Sequence, residues 1–120
     1  MEQLTPQEEA VMRHVWDIGK CAIKDVVEKM EEPKPPYTTV ASTFDNLLKK
    51  EYVTMRRFGN VKVFSPKISE AAYKRYFLSD LVKSYFDDSY KELVSFFAKE
   101  QKITPEELSE IIELIEKNRK

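Results

Sequence analysis

Apolar positions recur at helical spacing from the start of the chain. Ala10, Val11, Val15 and Ile18, with His14 among them, fall on one side of a helix. Thr5-Pro6-Gln7-Glu8 marks its start: threonine caps, proline suits the first helical position, and a glutamate three residues on completes a capping box. Gly19-Lys20 ends it. A second, short helix carries Ile23, Val26, Val27 and Met30 on one face, and the rigid Pro33-Lys34-Pro35-Pro36 stretch follows. A third helix is predicted over 37–50, with Val40, Phe44, Leu47 and Leu48 as its apolar face. At about 100° per residue, Thr39, Ser42, Asn46 and Lys49 lie opposite, with Asp45 at the margin.

After Glu51 the period changes from helical to alternating. Val53, Met55, Val61 and Val63 alternate with Thr54, Arg56, Lys62 and Phe64, and Phe58-Gly59-Asn60 supplies the turn. Two antiparallel strands closed by Pro66 are the predicted result. From Ser69 the pattern is helical again, in segments over 69–85, 89–99 and from the capping box Thr104-Pro105-Glu106-Glu107 onward. Tyr73, Tyr76, Phe77 and Leu81 mark the first of these, Tyr90, Leu93, Val94 and Phe97 the second, and Leu108, Ile111, Ile112 and Ile115 the third. Residues 73–97 hold eight of the fourteen aromatics. Three short helices cannot bury that surface among themselves, so pairing with a second copy is expected.

Charge sharpens this picture where composition only bounds it. The 120 residues carry 20 basic and 21 acidic side chains, so net charge is silent about partners. Its distribution is not. Residues 1–48 hold five basic and nine acidic groups, whereas 49–67 hold six basic (Lys49, Lys50, Arg56, Arg57, Lys62, Lys67) and only Glu51 as an acid. That basic island coincides with the strand pair, as a contact with a polyanion requires. One cysteine and one histidine exclude a disulfide framework and most zinc sites, and no cofactor is expected. His14 and Cys21 are read as packing residues, and Trp16, off the main stripe, as covering a core edge. The acidic pairs Glu8-Glu9, Glu31-Glu32, Asp87-Asp88 and Glu106-Glu107 sit at helix ends or turns, where dipole complementarity accounts for them. No nucleophile has a base in a recognisable motif, so no enzyme is expected. No apolar run reaches transmembrane length and the start lacks a signal-peptide pattern, which fits a cytoplasmic protein.

Three helices followed by a basic two-stranded ribbon is the order of a winged helix-turn-helix. The fold expected is mainly α with a small β-hairpin wing over residues 1–68, followed by a helical dimerisation segment over 69–120. The third helix would enter the major groove of double-stranded DNA. Thr38, Thr39, Ser42, Thr43 and Asn46 are the candidate contacts to base edges or phosphates. Lys49, Lys50, Arg56, Arg57, Asn60 and Lys62 would meet the backbone. The competing reading is a winged helix used as a protein-interaction adaptor, in which the polar face is only solvated. Tyr73, Tyr76, Phe77, Leu81, Leu93, Phe97, Leu108, Ile111, Ile112 and Ile115 are the candidate homodimer residues.

Leu4-Thr5-Pro6-Gln7-Glu8-Glu9 with Val11-Met12 and Val15-Trp16 resembles the opening helix of the penicillinase and methicillin-resistance repressors, the BlaI/MecI family. Pro35-Pro36-Tyr37-Thr38-Thr39-Val40-Ala41-Ser42-Thr43 is similar to their recognition-helix entry, and Leu47-Leu48-Lys49-Lys50 and Phe58-Gly59-Asn60 also match. Leu93-Val94, Phe96, Leu108-Ser109-Glu110-Ile111 and Ile115 resemble their dimerisation segment. The resemblance implies a dimeric repressor on a palindromic operator, released when a membrane sensor with a metalloprotease domain responds to a β-lactam. It also implies a cut just ahead of a phenylalanine, here between Ser95 and Phe96, although Ser95 replaces the asparagine expected there. Glu51 stands where members usually have glycine, and Ala41 where some have arginine. With Cys21 alone, the chain lacks the paired Cys-x-Cys motifs of the copper-responsive branch.

Overall fold

The capping box at Thr5-Pro6-Gln7-Glu8 forms in the computed structural model, which describes residues 1–119. The Glu8 N–H donates to Thr5 Oγ1 at 3.2 Å, and the Thr5 N–H donates to Glu8 Oε1 at 2.9 Å. These bonds start α1 (Pro6–Ile18). There follow β1 (Cys21–Ala22), α2 (Ile23–Lys29), α3 (Tyr37–Lys49), β2 (Val53–Phe58), β3 (Val61–Pro66), α4 (Glu70–Tyr85), α5 (Tyr90–Lys99) and α6 (Pro105–Lys117). Thr104 and Glu107 form the second reciprocal capping box, and Ser89 Oγ accepts from the Glu92 N–H. This mainly helical architecture with a small antiparallel sheet is the one predicted.

The sheet has three strands in the order β1-β3-β2. Its short β1, not predicted, pairs Cys21 with Phe64 and Ala22 with Val63. Two residues are too few to show an alternation. The wing itself turns through Gly59 and Asn60, with Gly59 at φ +62, as the first central position of a type II′ turn requires. That turn pairs Phe58 with Val61 and therefore Met55 with Phe64. Hence the predicted alternation holds but its phase in β3 is reversed. Phe64 is 1% exposed and enters the core, whereas Val61 is 51% exposed.

The first helices and the sheet close over Val11, Met12, Val15, Val26, Val40, Phe44, Leu47 and Tyr52. Phe44 and Phe64 meet with ring centroids 4.4 Å apart, which fixes α3 against β3. The Tyr52 hydroxyl donates to the Glu2 carbonyl. Contacts divide the chain into two compact units, Met1–Tyr76 and Phe77 onward. Tyr73, expected at the dimer face, belongs to the packing of the first unit. Its ring lies 5.4 Å from Trp16 and 5.8 Å from Tyr52. Its hydroxyl donates to Glu9 Oε2 at 2.7 Å, and burial followed by that bond raises its pKa. An aromatic at helical spacing with Tyr76 and Phe77 carries no mark of which side of the division it serves.

Within the second unit Val82 is the one buried side chain among the described residues. Phe86 and Phe96 pack edge to face at 5.8 Å. Tyr76, at the end of the first unit, and Phe77, Phe97, Leu108, Ile111, Ile112 and Ile115 in the second remain exposed, and Leu81 and Leu93 are partly buried.

With only two glycines in the chain, several turns use other residues at positive φ. Glu51 follows the end of α3 at φ +65, and the Tyr52 N–H bonds back to the Leu47 carbonyl at 3.0 Å. This is the left-handed position that glycine ordinarily fills after a helix. It gives a conformational reason for the glycine that the family resemblance leads one to expect there. Glu51→Gly is therefore expected to raise the melting temperature by a few degrees, even though the exposed Glu51–Lys67 bridge at 2.9 Å is lost. Calorimetry of the two proteins checks this, and an unchanged or lower midpoint would show that the position carries no relievable strain.

Candidate nucleic-acid interface

Burying Val40, Phe44 and Leu47 turns the other side of α3 outward. Thr38, Ser42, Asn46 and Lys49 are exposed along it, and Thr39 is partly buried beside them. Short hydroxyl and amide groups on an unobstructed helix face can hydrogen-bond base edges or phosphate oxygens. Asp45, assigned to the margin from sequence, is also exposed between Ser42 and Lys49 and forms no salt bridge among the described residues. At about 100° per residue it lies within about 20° of Thr38, at the edge of the stripe that runs on through Lys49, Ser42 and Asn46. Its carboxylate can accept from a cytosine amino group and would be repelled by phosphate.

Two of the predicted contacts face the wrong way. Thr43 is 4% exposed, and its hydroxyl donates to the Thr39 carbonyl at 2.9 Å. It lies one helical step from Phe44 on the core side, where a bond to the preceding turn satisfies its oxygen. Lys50 does not extend to solvent either. Its ammonium donates to Glu8 Oε1 at 2.6 Å and to the Gln3 carbonyl at 3.0 Å, tying the end of α3 to the start of α1. Glu8 is 4% exposed. Burial disfavours its charged form, but the hydrogen bonds from Lys50 and Thr5 and the Lys50 charge prevail and hold its pKa below the ordinary value. The glutamate read as a cap is thus also one half of an internal ion pair, a role visible only once residues 42 positions apart meet.

The ribbon supplies the cationic surface. Strand alternation places Arg57 directly across from Lys62, on the sheet face that continues from Met55 and Phe64, and aims Arg56, across from Val63, at the other face. Two like charges opposed on a hairpin repel unless an anion lies against them. Lys20 sits 5.0 Å over the Phe58 ring and adds a cation beside the wing. Asn60 is exposed at the turn. The arrangement thus puts a polar helix face and a basic ribbon tip in one unit, without Thr43 and Lys50. Among the described residues no cluster of side chains could hold a metal. Cys21 is buried in β1, and burial, with the Asp25 charge, pushes its thiol up to about 11. It therefore offers no thiolate nucleophile at neutral pH.

A helical core with a short sheet, an outward polar third helix and a basic two-stranded wing defines a winged helix-turn-helix regulator. Comparison with known proteins makes the assignment more specific. The penicillinase repressor family model matches residues 4–117, and the chain belongs to that family of DNA-binding transcriptional repressors. The penicillinase repressor of Bacillus licheniformis is 23% identical over 125 residues, covering 98% of this chain and 94% of the relative. A solved structure of Bordetella bronchiseptica BpsR, from work on regulation of its DNA binding by 6-hydroxynicotinic acid, aligns with a TM-score of 0.49 and 18% identity. It covers 97% of this chain and 76% of that one. No described helix is long and apolar enough to cross a membrane.

Proposed function

We propose that the chain represses transcription in the cytoplasm by binding a palindromic operator as a homodimer. In this reading α3 of each protomer enters a major groove and the wing follows the adjacent phosphates. The observation that carries it is the pairing, in one unit, of the exposed Thr38–Ser42–Asn46 face with the Arg57–Lys62 wing tip. DNA contact is assigned to residues 1–68, whose packing extends through Tyr73, and dimerisation to residues 69–120.

Gel shifts with genomic fragments at rising salt test the reading. Binding should be sequence-selective and fall steeply with salt. Salt-insensitive or unselective behaviour would favour the adaptor. Arg56→Ala with Arg57→Ala should weaken all sequences alike and reduce the log–log salt slope by about one to two per half-site. Arg57 should account for most of the change, because it shares its face with Lys62. Ser42→Ala or Asn46→Ala should instead alter sequence preference, by about 1–3 kcal/mol at the affected base pair. Early melting of either variant would place that residue in the packing rather than at DNA.

Release is assigned to proteolysis between Ser95 and Phe96 by a membrane sensor metalloprotease responding to a β-lactam. The bond lies inside α5, with Ser95 partly buried and Phe96 exposed, so the helix must open before a protease can hold an extended strand. Fragment masses after induction beside the sensor test this. An intact chain under full derepression would exclude it.

A further inference from the structure

β1 reaches only Val63 and Phe64, so the edge of β3 at Val61 and Lys62 borders a cleft instead of another strand. The cleft has a volume of about 480 Å³. Ile23 and Lys24 from the start of α2, Tyr37 from the first turn of α3, and Asn60, Val61 and Lys62 from the wing form its walls. Ala22 and Ala41 also line it, and their single methyl groups leave the space unfilled. Among the described residues, the charged side chains on its walls are the two lysines. The nearby Asp25 is turned back to the start of α2, where its carboxylate accepts from the Ala22 N–H at 2.8 Å. Tyr37 and Val61 are both more than half exposed, so apolar surface and positive charge line the same opening.

An occupant complementary to these walls is apolar in part and anionic in part. On the reading of this chain as a DNA-binding repressor, we propose that the cleft seats a stretch of DNA sugar–phosphate backbone. Lys24 and Lys62 meet phosphates, and Tyr37 and Val61 lie against deoxyribose. Tyr37 and Ala41 each precede by one residue a member of the exposed face of α3, Thr38 and Ser42, so the cleft flanks that face directly. A phosphate at Lys62 also relieves its opposition to Arg57. The assignment adds Lys24 to the interface, a residue far from the basic island in sequence and brought beside the wing only by the fold.

Full-length Lys24→Gln tests the proposal, with Lys29→Gln as control, since Lys29 is exposed on the same helix and lies outside the cleft walls. Affinities for operator and scrambled duplex are measured across a salt series. Lys24→Gln should lower the salt slope by about one per bound protomer on both duplexes, with an unchanged melting temperature, while Lys29→Gln leaves the slope as it was. Acetic anhydride labelling of the unmodified protein gives a second readout, with Lys24 protected by DNA and Lys29 not. A wild-type slope in Lys24→Gln, an equal loss in Lys29→Gln, or equal labelling with and without DNA would each overturn the cleft assignment. Such results leave the repressor reading intact as long as the wild-type protein binds DNA. A wild-type protein that binds no DNA overturns both.

Discussion

A full-length chain carrying Ile111→Glu and Ile115→Glu is expected to run as a monomer and to bind a complete operator about 10²–10⁴-fold more weakly. Both side chains lie on α6, one turn apart, and both are exposed. Among its described residues the second unit keeps one side chain buried while presenting Phe97, Leu108, Ile111, Ile112 and Ile115 to solvent. Apolar surface on that scale is the mark of an unfilled interface. Two carboxylates placed in it would have to be desolvated beside one another, which a dimer cannot tolerate. The loss in affinity follows from linkage, because each protomer then finds its half-site alone. Affinity for an isolated half-site should be unchanged, which separates dissociation from damage to the DNA-binding unit. Sedimentation with gel shifts on whole and half operators measures both. A dimer with wild-type affinity would move the interface away from α6.

Glu8→Ala is expected to destabilise the first unit by about 2–4 kcal/mol without changing the salt slope of DNA binding. The change removes half of the capping box at Thr5 and leaves the Lys50 ammonium, only 21% exposed along its side chain, without its carboxylate. Glu8→Gln keeps a cap acceptor and should lose less. The sign with pH follows from the lowered pKa of Glu8. Its stabilisation is complete above the ordinary carboxylate value of 4.5 and is lost as pH falls through the lower value of the folded state. Urea unfolding at neutral pH and at a series of acidic values should show the wild-type advantage over Glu8→Gln shrinking in acid. Lys50→Gln tests the same pair from the other side. If it lowers the salt slope while leaving stability alone, Lys50 meets phosphate after all.

Much of this molecule could be read from local pattern. Both capping boxes and the third helix are set by neighbours within four residues, and the two long strands by the hairpin turn between them; all form where the spacing places them. What resisted reading depends on partners distant in sequence. Strand β1 exists because β3 lies alongside it. The phase of β3 is set by a two-residue turn, and a shift of one residue would have exchanged Phe64 for Val63 in the core. At the site, Ser42 and Asn46 are exposed as their phase predicted, whereas Lys50 is drawn inward by a glutamate near the chain start. A lysine at a helix end has the same sequence signature whether it meets a phosphate or a buried carboxylate. Thr43 differs from Ser42 by one residue and 100° of helix, and that rotation separates core from groove.

The chain has a single tryptophan, and its position turns a packing detail into an instrument. The Trp16 indole N–H donates to the Ile68 carbonyl at 2.9 Å, and the ring rests against Tyr73 at the first turn of α4. Its emission therefore reports on one joint, where the wing hands the chain on to the long helix. A red shift on loosening that joint, and none on events confined to α5 or α6, would let unlabelled protein signal optically which of its two units an operator, a protease or a denaturant has disturbed.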